Sequence, residues 1–297
     1  MPIATIASPA RRPRTRPHRS AVATALLGTA TALLTTGALA GCGSSGSGTN
    51  ADPAMLTPAS APLYAKLAIK PSGGANGTAS SAAKTLTHLA EPYGSLAQAL
   101  LAGEGGKLDF KHDIEPWVGD NAGVFVTALD TSKLPQSATS AQALLEGGLS
   151  SAGAALGAGT FGSKGSEGAI VLDTSDVGKA QSFLSHRASE QGAHATSYRG
   201  VSYEVSPGGA AEGIVKKFAV MGSESGFKSV VDTSLGGAAV TNAPGYASPP
   251  ADAIASAYVQ PEALLKAVHG TNATTSQGVS LLGQLLAGAQ SASLSVT

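Results

Sequence analysis

One cysteine in 297 residues leaves no partner for an intramolecular disulfide, so the stability of the fold has to come from packing alone. Aromatic residues make up 4% of the chain, which leaves few flat platforms for stacking sugars or bases and predicts a core of Leu, Val, Ile and Ala. No Gly-x-Ser-x-Gly elbow, no phosphate loop ending in Gly-Lys-Ser or Gly-Lys-Thr, and no His-Glu-x-x-His zinc helix occurs. No acidic residue precedes Asp52, although Arg11, Arg12, Arg14, Arg16 and Arg19 all lie before it.

That one-sided charge opens a recognisable series. The arginines are followed by an uncharged run from Ala21 to Ala40, rich in Ala, Leu and Thr, which is the order of a secretory signal. Leu39-Ala40-Gly41-Cys42 closes the run as a lipobox: a branched apolar residue, two small residues, then a thiol to be acylated, with cleavage between Gly41 and Cys42. Retention of the run as a spanning helix is the competing reading, and its many Thr and Gly residues suit that role poorly. The Arg11-Arg12 pair admits twin-arginine export, but Pro, Arg and Thr follow it instead of an apolar residue. The expected organisation is therefore a signal peptide over 1–41, a lipidated Cys42 with a Gly/Ser-rich flexible tether over 42–57, and one folded domain over 58–297.

Loss of the five arginines leaves 14 basic against 19 acidic residues, a net charge of −5 on the remaining 256 residues. Only Lys216-Lys217 are adjacent cations, and a solvated strand accounts for them, so nucleic acid is not an expected partner. Alternation predicts a strand over Leu63–Ile69, and helical spacing predicts helices over Ala79–Leu89 and Tyr93–Leu101. Gly123–Leu129 and Ala169–Leu172 read as apolar strands, the second leading through a cap at Asp173 or Thr174 into a helix that carries Val177, Ala180, Phe183 and Leu184 on one face. Gly147–Gly165 is low-complexity Gly/Ala/Ser and reads as a mobile loop or a weak helix. Arg199-Gly200 predicts a hairpin, Ile214–Met221 a strand, Ser223–Thr233 a helix, Ala253–Val259 a strand, and Pro261 the start of another helix. Val279–Leu286 reads as a further helix, and Ala292, Leu294 and Val296 alternate with serines in an edge strand or in the cut end of a longer chain. The class is α+β, a mixed but largely antiparallel sheet with helices packed on one face.

The most individual stretch holds the only tryptophan, in Asp113-Ile114-Glu115-Pro116-Trp117-Val118-Gly119. Pro116 sets a turn, Gly119 permits a backbone bend, and Trp117 packs beneath the sheet or, on the sharper reading, contacts a ligand with Asp113 beside it. Two Ser-x-x-Lys patterns, Ser81 to Lys84 and Ser225 to Lys228, match the nucleophile spacing of penicillin-recognising enzymes. Corroboration is missing, because Ser175-Asp176 is followed by Val and no Lys-Thr-Gly strand follows. His88, His112, His186, His194 and His269 show no ligand spacing, so no metal or other cofactor is expected. Paired carboxylates such as Asp109 with Asp113, or Asp113 with Glu115, read as surface charge.

Together, the Asp113–Gly119 turn before an apolar strand, Leu172-Asp173 with Lys179-Ala180, the Tyr-x-Gly-Val-x-Tyr hairpin from Tyr198 to Tyr203 and the late Tyr258-Val259 strand resemble a family of secreted bacterial lipoproteins built on a domain of unknown function. The resemblance implies a longer protein than this chain, and it brings no catalytic residues. The expected function is a non-enzymatic binding or envelope-associated module on the extracytoplasmic face of the cell membrane, held by its lipid anchor, with an unknown envelope protein or an apolar ligand as its partner. The alternatives are a carrier of a lipid or other apolar ligand, and a serine hydrolase using Ser81 and Lys84.

Overall fold

The computed structural model describes residues 51–70, 109–130, 161, 166–250, 253, 255–269 and 291–296. The chain divides into two units, Met1–Gly46 and Ser47–Thr297, and all described residues belong to the second. The lipobox, the helices expected over 79–101 and 279–286, and most of the 147–165 loop lie outside the described residues.

Ordered structure begins earlier than the tether boundary at 57 implies. Asp52 caps a 3-10 turn at Pro53–Met55 by accepting from Ala54 N at 3.0 Å. Ala54 and Leu56 are buried, so residues 51–57 belong to the folded body and not to the tether. Their apolar side chains need the sheet beneath them as cover, and a Cβ on Gly123 would meet the Pro53 ring at 2.6 Å.

Ten strands form the sheet. They are β1 (Leu63–Ala68), β2 (Val118–Asp130), β3 (Glu167–Thr174), β4 (His194–Tyr198), β5 (Val201–Val205), β6 (Ala210–Val215), β7 (Phe218–Ser223), β8 (Ala255–Val259), β9 (Val268–His269) and β10 (Ala292–Val296). The spatial order is β10-β8-β1-β2-β3-β7-β6-β5-β4, with every neighbouring pair antiparallel. Strand β9 lies off this path and pairs in parallel with the end of β2, through Leu129 with Val268 and Asp130 with His269. Among the described residues, the helices α1 (Val177–Glu190), α2 (Glu224–Ser234) and α3 (Pro261–Ala267) accompany the sheet in an α+β architecture.

Placement of the helices differs from the one-face expectation. In β3, Ala169 and Val171 join the core of Phe227, Val230 and Val231 from α2, while Ile170 and Leu172 join that of Ala180 and Leu184 from α1. Successive strand residues point to opposite faces, so α1 and α2 cover opposite sides of the sheet. Hence the unbroken apolar runs in β2 and β3, where one wet face would have given alternation. Phe161 packs in the α1-side core, and Gly168 accepts its ring edge at close range.

Two boundaries move for local reasons. Ile214–Met221 is not one strand, because Lys216 takes φ 57° and turns β6 into β7 with Lys217, a turn that no Gly, Asn or Pro marks. The lysine pair therefore forms a hairpin tip and not a solvated strand. Asp176 caps α1 by accepting from Lys179 N at 3.0 Å, while Asp173 and Thr174 stay in β3, so the cap lies later than expected. Val177 is correspondingly exposed and not on the buried face. At Arg199-Gly200 the φ values of 49° and 83° give the type I′ geometry of a two-residue hairpin, as the sequence predicts. Among the described residues no helix is long and apolar enough to cross a membrane.

Ser223 ties helix to sheet. Its hydroxyl accepts from Gly226 N at 3.0 Å as the α2 cap and from Gly168 N at 3.1 Å across on β3. Gly226 rests directly on the Gly168 carbonyl, where a Cβ has no room. Ser223→Ala removes the cap and strands a buried amide, so it should lower the unfolding free energy by about 2 kcal/mol in urea titration.

Candidate functional site

Asp109 begins the stretch that holds the tryptophan. Its carboxylate accepts from Lys111 N at 2.9 Å and His112 N at 3.3 Å, and Asp113 answers by accepting from Asp109 N at 2.8 Å. This reciprocal cap starts a single π-helical turn, Phe110–Ile114, closed by Glu115 N donating to Phe110 O at 2.7 Å. Ile114 is buried beneath it and Pro116 is exposed on top. The Asp109 and Asp113 carboxylates are thus spent on backbone amides, and do not face each other across a cleft.

Trp117 is 2% exposed, its Nε1 donates to Asp113 O at 2.6 Å, and its ring lies 5.2 Å from that of Phe183 on α1. Its polar atom is satisfied inside the fold, and its ring packs as part of the α1-side core. Lys70, just past β1, donates from Nζ to Glu115 O and, at 3.1 Å, to Val118 O. Ser175 clamps the same turn just past the end of β3, donating N–H to Trp117 O at 2.8 Å and sharing Val118 O through its hydroxyl at 3.1 Å. Ser175 is committed here.

Gly119 has a different reason from the bend expected of it. Its φ is not in the left-handed region; instead a Cβ would strike the Asp173 carboxylate. Asp173 is the residue that sequence reasoning assigned to a cap and that the structure buries, 1% exposed, with Oδ1 lacking a hydrogen-bond partner among the described residues. Burial, with the nearby Asp120 charge adding and Lys217 opposing, raises its pKa from 3.8 to about 6. The corner brings Asp113, Pro116, Trp117 and Gly119 together with Lys70, Asp173 and Ser175, and leaves one oxygen free to take a proton or accept a bond.

A second buried carboxylate escaped the sequence reading. Glu212 on β6 points to the α1 side, 3.5 Å from Arg187 Nε, and burial raises its pKa from 4.5 to about 7, Arg187 opposing and Glu204 adding. The one available signal was an acid out of place in the apolar run Ala210–Val215.

The tyrosine hairpin is a clasp onto α2. Tyr198 donates to Asp232 Oδ2 at 3.3 Å, and Tyr203 donates to Glu224 Oε1 at 3.0 Å while stacking on Phe227 at 4.5 Å. Lys228, from the second Ser-x-x-Lys pattern, is paired with Glu224 at 2.8 Å, and that hydrogen bond holds its pKa up, the wrong direction for a base. Ser225 Oγ lies instead 3.1 Å from Ser223 Oγ. Ser81, Lys84, Gly41, Cys42 and His88 lie outside the described residues. Exposed His112 and His186 meet Asp109 at 3.0 Å and Glu190 at 3.5 Å, His194 lies exposed on β4, and His269 lies in β9. Among the described residues no group of three or more His, Cys, Asp or Glu is placed to hold a metal.

The raised pKa of Asp173 fixes a sign. The fold favours the protonated carboxyl, so between pH 4 and about 6 the folded chain binds more protons than the unfolded one, and stability falls as pH rises through that window. Glu212 acts in the same direction up to about 7. Asp173→Asn should flatten the lower part of that slope, read as the urea midpoint against pH, while leaving the Glu212 part in place.

No curated protein and no solved structure matches the chain. One family model does, described as "Protein of unknown function (DUF3352)", over residues 20–292. With nearly the whole chain matched, from the expected signal run to the last strand, this protein belongs to that family.

Proposed function

We propose that the chain is a lipid-anchored module on the extracytoplasmic face of the cell membrane that binds another envelope protein and performs no catalysis. The observation that carries this reading is Leu39-Ala40-Gly41-Cys42, set behind five arginines and an uncharged run and containing the only cysteine of the chain. Acylation would contribute about 0.8 kcal/mol per buried methylene, and two long chains bury on the order of thirty of them, so release would be negligible. Between Cys42 and the first described residue, Ala51, eight residues intervene, a length of chain that spans at most about 30 Å. The folded body is thereby kept close to the membrane surface, where its partners also reside.

Support for a binding role over an enzymatic one comes from how the chemically suggestive residues are used. Trp117, Asp113 and Ser175 hold one corner of the sheet, and Lys228 with Tyr203 holds a hairpin. Groups that fix backbone are not free to act on substrate.

Full-length wild type and Cys42→Ser, expressed in a bacterium that processes lipoproteins, test the anchor. Wild type should take up an alkyne-palmitate label and sediment with membranes, whereas the variant should lose the label and appear in the soluble fraction. Membrane retention of Cys42→Ser, or unlabelled wild type, overturns the anchor. Ester or amide turnover that disappears in Ser81→Ala would replace the binding module with a hydrolase.

A further inference from the structure

The sheet ends at β4, and this edge lacks the usual protection. His194-Ala195-Thr196-Ser197-Tyr198 contains no Lys, Arg, Asp, Glu or Pro, and its pairing with β5 runs without a bulge. The β4–β5 loop is two residues long, so Tyr198 and Val201 form the hydrogen-bonded pair that closes it, and alternation places Thr196 and His194 in further inward-bonded pairs. The N–H and C=O groups of Ala195 and Ser197 therefore point away from the sheet. Both residues are exposed, and no bond from these groups to another described residue is present.

We infer that β4 is a self-association edge, pairing antiparallel with β4 of a second copy about a two-fold axis at Thr196. The occupant follows from register. Antiparallel strands bond through residues whose amides face each other, so Ala195 must meet an outward residue of the partner strand. If Ala195 lies opposite Ser197 of the other copy, then Ser197 lies opposite Ala195, and both outward residues on each strand are used in four N–H···O bonds. A slip by two residues in either direction loses this. It sets Ala195 against its own copy and Ser197 against residue 193, before the strand, or Ser197 against its own copy and Ala195 against Arg199, in the turn. The favoured register puts Thr196 against Thr196 on the axis and His194 against Tyr198, with no like charges opposed. One face carries only Ala195 and Ser197, small enough for close approach.

Five residues per strand bury less than the ~1,600 Å² of a standard stable interface, so the dimer forms only at high local concentration. The inference stands on β4 geometry and does not depend on the anchor at Cys42.

The test uses the full-length chain with Cys42→Ser, so that any added cysteine is the only thiol. Directly opposed, non-bonded antiparallel residues have Cα atoms about 4.5 Å apart, within disulfide range. Thr196→Cys should therefore give an oxidised dimer, while Ala195→Cys, Ser197→Cys and the exposed helix control Ser182→Cys should not. Light scattering should show the mass doubling as concentration rises. Ser197→Pro deletes an outward donor without touching the β4–β5 ladder, and should move that midpoint at least about tenfold. A mass constant at one chain with no excess cross-linking at Thr196→Cys overturns the inference. So does a dimer unaffected by Ser197→Pro, a cross-link favouring Ala195→Cys or Ser197→Cys, or a mass climbing past two, as head-to-tail pairing of β4 on β10 would give. If Ser197→Pro fails to fold, the three strand cysteines still decide it.

Discussion

Because β3 lies near the middle of the sheet, with α2 against Ala169 and Val171 and α1 against Ile170 and Leu172, it has no side beyond Glu167 on which a polar residue meets water. The rest of the described structure depends on that double burial. It requires the uninterrupted apolar run, it forces α1 and α2 to opposite sides, and it makes the two ends of β3 the places where polar groups must be accommodated. At one end Gly168 exchanges hydrogen bonds with Ser223, and at the other Thr174 and Ser175 bond to Lys217 O and to the Trp117 corner. Asp173 sits one residue inside that second end, and its raised pKa measures the cost of a carboxylate placed where water does not reach.

Backbone contact at both ends is set by glycine. Gly226 and Gly222 let α2 and β7 approach Gly168 and Ala169 of β3, and Gly119 lets β2 approach Asp173. The Trp117 corner is then the outer stopper of the α1-side core, with Phe183 against its ring and carbonyls of its turn taken by Lys70 and Ser175. Residues that look conspicuous in the sequence are conspicuous because a sheet covered on both sides has few ways to end.

Period and turn chemistry made much of this readable. The runs at Leu63, Gly123 and Ala169, the Arg199-Gly200 hairpin, the helix beginning near Ser223 and the Pro261 helix start were all legible, since each has a local physical signature. The Lys216-Lys217 turn was not, because a lysine in the left-handed region leaves no compositional mark between two apolar strands. Neither was the face each helix covers, because a fully apolar strand does not say which neighbour lies on which side. At the site, the corner role of Trp117 was readable from its turn, but the burial of Asp173 and the Glu212–Arg187 pairing depend on residues from distant strands and helices. Asp52 and Leu56 were taken for tether because their cover, β1 and β2, comes from later in the chain.

Strand order also bears on the sequence of folding events. The pairs β4–β5 and β6–β7 close over two-residue turns, and β3, β7 and both long helices lie within one continuous segment from Glu167 to Ser234. By contrast, β1 is held between β2 and β8, with Leu63 opposite Val259 and Gln260 Nε2 reaching back to Ala59 O at 3.0 Å. About two hundred residues separate those partners, and loop-closure entropy makes such a contact slow to form and unrewarded until the segment between is in place. The earliest described strand is thus among the last to be secured, and in a nascent molecule β1 waits on β8, which is made nearly two hundred residues later.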